Sequence, residues 1–161
     1  AFQDPQEISG VSVLNLIRQA LSARKGIEMS VLELQLSLAE RMEKLSIDAT
    51  FLERHVNEGF PGGDTKCGEL LQLAMLEPEI AILDESDSEI DVGALKTFAA
   101  GVRVIRDERP ALGILAITPD QRLLDHLQPD FVHVLIDGRI VASGGMELAA
   151  RLESDGYDGF R

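Results

Sequence analysis

A short apolar segment that ends in two carboxylates constrains the fold more than any other part of the sequence. The run Ile80–Leu83 is continuous and apolar, as is typical of a strand buried in a parallel sheet, and Asp84 and Glu85 follow it directly. Open α/β proteins bind ligands at the carboxyl ends of their strands. The segment therefore predicts an α/β fold with a polar site at the sheet edge, although a solvated acidic loop is an equally simple interpretation of these residues alone.

The rest of the chain divides into a helical part and an alternating part. Residues from Ser9 to about Met75 are predicted to be helical, with a break at Gly59–Asp64 and Asp64 as the cap of the next helix. Alternating strands and helices are predicted from Glu79 onward, which indicates parallel strands. The predicted elements are strands at Ile80–Leu83 and Leu112–Ile117, helices at Val92–Asp107, Gln121–Leu127 and Met146–Ser154, and a hairpin of Phe131–Ile136 with Arg139–Ser143 around Asp137-Gly138.

Composition excludes several classes of protein. The 161 residues carry a formal net charge of −13, which argues against nucleic acid or an anionic membrane as a partner. The single cysteine, Cys67, permits no intramolecular disulfide, and a packing role is the simpler interpretation of it. The sequence has no apolar run long enough to span a bilayer and does not begin like a secretory signal. We therefore expect a cytoplasmic protein without direct membrane insertion.

Five stretches of the sequence resemble the ATP-binding-cassette (ABC) ATPases. They are AFQDPQEISGVSVLNLIRQAL, NEGFPGGDTK, ELLQLAMLEPEIAILDESDS, ALKTFAAGV and PDFVHVLIDGRIVASGGMELAARLESDGY. Within that family, these stretches are most similar to SufC-like members, which serve the Suf system of iron–sulfur cluster assembly. The resemblance implies a partial P-loop NTPase core of the ABC type with a helical subdomain. Residues 1–78 would hold the Q-loop, helical subdomain and signature helix, and residues 79–161 the carboxyl-terminal part of the core.

The resemblance also implies a role for individual residues. Gln3 corresponds to the Q-loop glutamine, Gly62 and Gly63 to the signature glycines that approach a nucleotide on the opposite protomer, and Asp91 to the D-loop aspartate. Asp84 corresponds to the Walker B aspartate that holds Mg²⁺, with Gln3 as its second protein ligand. Glu85 corresponds to the catalytic base. ATP and Mg²⁺ are the implied cofactors, and carboxylate and amide oxygens are ligands that suit Mg²⁺.

Several positions depart from the family pattern. Pro61 stands where the family has a serine, Glu89 where it has the D-loop glycine, and Pro119 where it has the switch histidine. The sequence also contains no G-x-x-x-x-G-K-[ST] loop, which supplies the backbone cradle and the lysine for the phosphates. From this we expect either a fragment cut before the Q-loop or a protein that lacks the Walker A part. The residues leave open whether ATP is hydrolysed.

Three functions are consistent with these residues. The first is a SufC-like ATPase subunit that dimerises with itself or with another ABC subunit and rearranges SufB- and SufD-type scaffold proteins. The second is an inactive ABC-like scaffold or regulator that binds the same partners, and the third is the ATP-binding subunit of a transporter. Because the strands Ile80–Leu83 and Leu112–Ile117 lack the neighbours that a Walker A part would supply, we also expect the isolated chain to self-associate or to bury this edge.

Overall fold

The computed structural model of the protein describes residues 1–26, 30–88 and 90–160, with only the backbone at Lys25. The six helices of the described part are α1 (Val13–Lys25), α2 (Val31–Leu45), α3 (Gly62–Leu76), α4 (Val92–Glu108), α5 (Gln121–Leu127) and α6 (Met146–Asp155). Its six strands are β1 (Ile8–Ser12), β2 (His55–Val56), β3 (Ile80–Asp84), β4 (Gly113–Ile117), β5 (Val132–Ile136) and β6 (Arg139–Gly144). Short 3₁₀ helices cover Ala49–Glu53 and Tyr157–Phe160. The chain forms two compact units, 1–117 and 118–161.

The core of the first unit is built from α1, α2, α3 and α4. Apolar residues recur along α2 at spacings of three and four, so that one stripe of the helix is buried. A capping box starts this helix: Ser30 Oγ accepts from the Glu33 N–H, and the Glu33 carboxylate accepts from the Ser30 N–H. The buried stripe comprises Leu34, Leu38, Met42 and Leu45. Helices α3 and α4 approach closely at Gly101, where a Cβ atom would lie 2.7 Å from Leu70 Cδ1.

Strands β3 and β4 form a two-stranded parallel sheet in which Asp84 pairs with Ile117. One face of this sheet is buried, as Ala81 and Leu83 show. The opposite face consists of apolar side chains between 44% and 70% exposed: Ile80, Ile82, Leu115 and Ile117. Parallel sheets are normally covered on both faces. In this pair of strands, by contrast, one face is open.

The structure corrects two predictions for the first half of the chain. The segment from Ser9 to Met75 is not uniformly helical, because β1 pairs antiparallel with β2. Helix α3 begins at Gly62 rather than after Asp64, which lies in its first turn, so the prediction that Asp64 caps this helix was wrong. Residues 27–29, part of the predicted helix before Leu45, lie outside the described residues.

The second unit is a hairpin with its own small core. Strands β5 and β6 pair antiparallel around Asp137 and Gly138, whose φ angles of 47° and 74° fit the predicted type I′ turn. Val132 and Val134 pack against residues of α6, including Leu148 and Ala149. Phe131, predicted as the first residue of this hairpin, directly precedes β5 and is 75% exposed.

Candidate functional site: the carboxyl end of β3

Asp84 and Glu85 lie where the sequence placed them, at the carboxyl end of β3. Glu85 leaves the strand in a left-handed conformation, with φ of 42°, and its N–H donates to the carbonyl oxygen of Ile117 at 2.8 Å. The Ser88 N–H donates in turn to the Glu85 carbonyl at 2.9 Å. A non-glycine residue in this conformation is uncommon and strained, and such residues concentrate at functional sites. The turn directs the chain away from the sheet immediately after the two carboxylates.

The structure brings Gln3 to this pair of carboxylates, although Gln3 and Glu85 lie 82 residues apart in the chain. The Gln3 Nε2 amide donates to Glu85 Oε2 at 2.6 Å. The segment before Gln3 runs beside β3: the Ala1 amino group donates to the Ile82 carbonyl at 2.9 Å, and the Asp84 N–H donates to the Ala1 carbonyl at 3.2 Å. The candidate site is therefore assembled from the first residues of the chain and the end of β3.

Two residues of α3 hold this segment in place, and the sequence analysis did not assign them a role. Lys66 and Glu69 are both buried, and both contact the backbone of Phe2. Lys66 entered the sequence analysis only through its place in the signature stretch. The available signal was a lysine and a glutamate three residues apart on an otherwise apolar helix face.

Gly62 and Gly63 are the first two residues of α3. Pro61 precedes them as the N-cap and makes no side-chain capping bond, so the first N–H groups of a 15-residue helix lack a side-chain acceptor from this position. Helix N-termini of this kind attract anions. Arg54 lies close by: it pairs with Asp64 at 2.6 Å and stacks 3.9 Å from the ring centroid of Phe60.

The remaining sequence-predicted positions are placed separately. Asp91 is the N-cap of α4, where Oδ1 accepts from the N–H groups of Gly93 and Ala94 at 2.6 and 2.9 Å. Glu89 lies outside the described residues. Pro119 is an exposed residue of the second unit, just before the Asp120 that caps α5.

The donor set at the end of β3 fits a divalent cation held together with phosphate oxygens. Among residues 1–26, 30–88 and 90–160, no three His, Cys, Asp or Glu side chains form a ready-made metal cluster. Mg²⁺ rarely uses such a cluster, since it is bound by one or two protein oxygens, water and phosphates. Because Gln3 donates through Nε2, its amide oxygen is a further ligand atom beside Asp84 and Glu85.

Cys67 lies half-buried on α3, next to the positions discussed above. Its side chain is half-buried, and burial together with the negative charge of Asp64 raises the pKa of the thiol. A raised pKa keeps the thiol protonated at neutral pH, whereas metal ligation needs the thiolate. The structure supports the packing interpretation.

Sequence comparison finds curated relatives for almost the whole chain, and some of them are named as transporter or ABC transporter ATP-binding proteins. It is 49% identical over 160 residues to "Vegetative protein 296" of Bacillus subtilis (strain 168) and 44% identical over 162 residues to "Probable ATP-dependent transporter slr0075" of Synechocystis sp.. It is 46% identical to a "Probable ABC transporter ATP-binding protein" of Streptococcus pyogenes. These alignments cover 98–99% of the chain but only 60–62% of each relative. No protein-family model matches the chain.

Structural comparison matches the chain to solved ATP-binding cassettes. The dimeric structure of MJ0796, a bacterial ABC transporter cassette, matches with a TM-score of 0.75 over 90% of this chain and 61% of that one, at 16% identity. The MJ1267 cassette matches with a TM-score of 0.72 over 96% of this chain, at 20% identity. The fold is that of an ATP-binding cassette, and the relatives support that family.

The chain spans about three fifths of the length of those proteins. The predicted fold class is confirmed: a mixed α/β, ABC-type core with a helical part. In the described ranges, no helix of the cassette is long and apolar enough to cross a membrane.

Proposed function

We propose that this chain is part of an ABC ATPase subunit and that its share of the ATP site is the carboxyl end of β3. The observation that carries the proposal is the hydrogen bond of 2.6 Å between Gln3 and Glu85, beside Asp84. It joins the expected Q-loop glutamine to the expected catalytic base at the sheet edge where α/β proteins bind ligands. A related cassette has been solved with ADP and Pi, which supports a nucleotide as the ligand.

Each site residue has a role that its chemistry suits. Asp84 and the amide oxygen of Gln3 would hold Mg²⁺, which when bound neutralises phosphate charge. Glu85 would accept a proton from the attacking water, and its hydrogen bond to Gln3 fixes the direction in which the carboxylate points. Gly62 and Gly63 would present backbone N–H groups to a nucleotide on a second ABC subunit, with Asp91 at the seam between the two.

We propose the Suf system as the cellular setting, with SufB- and SufD-type scaffold proteins as partners in the cytoplasm. The sequence resemblance supports this choice. A groove of about 560 Å³ at Phe2 and Asp4, the neighbours of Gln3, offers a surface for such a partner; it is lined by the amino-terminal segment, α3 and β3. On this proposal, residues 1–78 contain the partner-binding subdomain and residues 79–161 the rest of the core.

Two other functions are each favoured by a specific observation. The relatives from Synechocystis and Streptococcus are named as transporter proteins, which favours a transporter ATP-binding subunit. Pro61 and Pro119, which lack the hydroxyl and imidazole groups expected to contact phosphate, favour an inactive scaffold. Purification of the native protein with its partners distinguishes the Suf role from transport. Soluble scaffold proteins in the complex support the Suf role, and a membrane permease supports transport.

Hydrolysis is tested by a single substitution directly after β3, with a matched control directly before it. We expect Glu85→Gln to lower ATP hydrolysis by the native product by about 10²- to 10³-fold with ATP still bound, since it removes the base but keeps the shape. Glu79→Gln makes the same change at the exposed residue immediately before β3 and should leave the rate unchanged. Equal rates for the two variants would contradict the assignment, and no hydrolysis by the unmodified protein would favour the scaffold.

A further inference from the structure

Helix α3 carries a buried ion pair that grips one residue of the amino-terminal segment. The side chains of Lys66 and Glu69 are only 5% and 8% exposed, and Lys66 Nζ lies 3.1 Å from Glu69 Oε2. Glu69 Oε1 accepts from the Phe2 N–H at 2.6 Å, and Lys66 Nζ donates to the Phe2 carbonyl at 3.0 Å. The two charges therefore bind both polar backbone groups of Phe2, whose own ring is 74% exposed.

This grip is directed at the backbone and cannot be explained by packing of the Phe2 ring. Glu69 Oε2 has no hydrogen-bond partner in the described residues, so the neighbouring Lys66 charge is what balances it. Removing two charges from water is costly, and well-packed apolar residues often stabilise a protein as well as a buried ion pair does. The effect specific to this pair is that it fixes the position of the peptide groups it binds.

The fixed residue lies between the two contacts that define the candidate site. Ala1, on one side of Phe2, is hydrogen-bonded to β3 at Ile82 and Asp84. Gln3, on the other side, donates to Glu85. The Gln3 side chain can reach Glu85 only while the Phe2 backbone keeps its place, because one peptide unit connects the two.

We propose that Lys66 and Glu69 are positioning residues: they hold the Phe2 backbone on α3 so that the Gln3 amide stays on Glu85. Helix α3 begins only one turn earlier, at Gly62 and Gly63. A displacement of this end of α3 therefore moves Phe2, and with it Gln3, relative to Glu85. The catalytic consequence rests on the proposed function, whereas the grip itself does not.

The grip is tested by hydrogen exchange of the peptide covering residues 1–7 in the native product without nucleotide. Lys66→Met/Glu69→Leu removes both contacts and leaves neither buried charge unpaired. We expect exchange in this peptide to become at least about 10-fold faster while the peptides of α3 and α4 stay protected. The control, Lys96→Met, removes an exposed lysine of α4 and should change nothing. Unchanged exchange in the folded double variant would overturn the proposal.

A second pair of variants works from the other side of the contact and leaves α3 intact. Phe2→Pro removes the N–H that donates to Glu69, whereas Phe2→Ala keeps it and only shortens an exposed side chain. Faster exchange around Gln3 in Phe2→Pro but not in Phe2→Ala supports the grip, also where the double variant fails to fold. Equal exchange in the two variants contradicts it.

The positioning role has its own readout in steady-state kinetics. A loosened Gln3 misorients Glu85 and weakens one of the two proposed Mg²⁺ ligands, whereas Asp84 and the backbone groups at Gly62 and Gly63 stay in place. We therefore expect the double variant to lower kcat about 10-fold and to change KM much less than kcat. A change in KM as large as the change in kcat, or no change in kcat, would overturn the link to Glu85. If the unmodified protein hydrolyses no ATP, the proposed function fails, and the exchange experiments still decide whether the grip exists.

Discussion

The two polar regions of the first unit, the end of β3 and the start of α3, differ in how their function-bearing groups are arranged. At the end of β3, Asp84 and Glu85 retain the expected carboxylates, and Gln3 reaches them through contacts that span most of the chain. At the start of α3, Gly62 and Gly63 are present, but Pro61 has replaced the hydroxyl expected before them. The residues that match the family pattern, Asp84 and Glu85, are thus the ones joined by long-range contacts. The residue that departs from it, Pro61, lies in a turn determined by its immediate neighbours.

The largest effect on stability should come from uncoupling the two regions at the buried ion pair. Lys66→Met alone leaves the Glu69 carboxylate buried without its counter-charge, and we expect a loss of about 3–5 kcal/mol in the free energy of unfolding. Lys66→Met/Glu69→Leu should recover most of this loss. Urea denaturation of the three proteins measures both values, and a double variant no more stable than the single one would show that the charges are not balanced by each other.

A smaller effect should follow from crowding the contact between α3 and α4. In Gly101→Ala the new Cβ would lie 2.7 Å from Leu70 Cδ1, and Leu70 is 2% exposed and cannot turn aside. Overpacking costs about 1–3 kcal/mol and exceeds the roughly 1 kcal/mol that alanine gains over glycine within a helix. Thermal unfolding should show a lower Tm. Gly113→Ala, whose Cβ would meet nothing closer than 3.7 Å, is the matched control.

Pro61→Ser tests whether the altered region can be restored. Serine at this N-cap would offer an oxygen to the first N–H groups of α3 and should stabilise the protein by about 1 kcal/mol relative to Pro61→Ala. The comparison with alanine separates the hydroxyl from the loss of the proline ring. If the start of α3 contacts nucleotide, the serine variant should also bind ATP more tightly than the alanine variant, as isothermal titration would show. Equal stability and equal affinity would remove any role for the hydroxyl.

The smallest effect is expected away from both regions, where α2 meets α4. Hydrogen bonding from Lys44, with further help from Arg41, lowers the pKa of Glu108 below its ordinary value. A carboxyl group with a lowered pKa in the folded state stabilises the protein above its unfolded pKa of about 4.3, and this contribution is lost as the pH falls through the folded pKa. Glu108→Gln should therefore reduce the loss of stability on acidification below about pH 4. Urea denaturation at several pH values measures the free energy of unfolding that shows this. An unchanged pH profile would contradict the ion-pair assignment.

Sequence reasoning succeeded where a local pattern determines the structure. The run Ile80–Leu83 with its two carboxylates, and the turn at Asp137-Gly138, were placed within a residue or two. It failed at β1 because its partner β2 has only two residues and lies more than 40 positions away, so no local periodicity marks the pair. A common Mg²⁺ site for Gln3 and Asp84 was implied by resemblance alone, and the bond between Gln3 and Glu85 was not predicted. No pattern within either segment could have predicted that they meet.

The expectation that the isolated chain self-associates or buries its strand edge stays a prediction, and the open face of β3 and β4 gives the first alternative, self-association, a specific form. Ile82→Lys and Leu115→Lys place charges opposite each other on this face, since Ile82 pairs with Leu115. We expect the double variant to sediment as a monomer at concentrations where the unmodified 161-residue chain forms dimers or larger species. A monomeric unmodified chain would contradict this expectation.

The left-handed backbone at Glu85 has a consequence for how the site can change over evolution. Glycine adopts this conformation without the cost of about 1–2 kcal/mol that other residues bear, so Glu85→Gly would relieve strain while deleting the carboxylate. Selection for stability alone would therefore favour loss of the acid. On the proposed function, the same substitution would abolish catalysis, so activity and stability make opposite demands on this position.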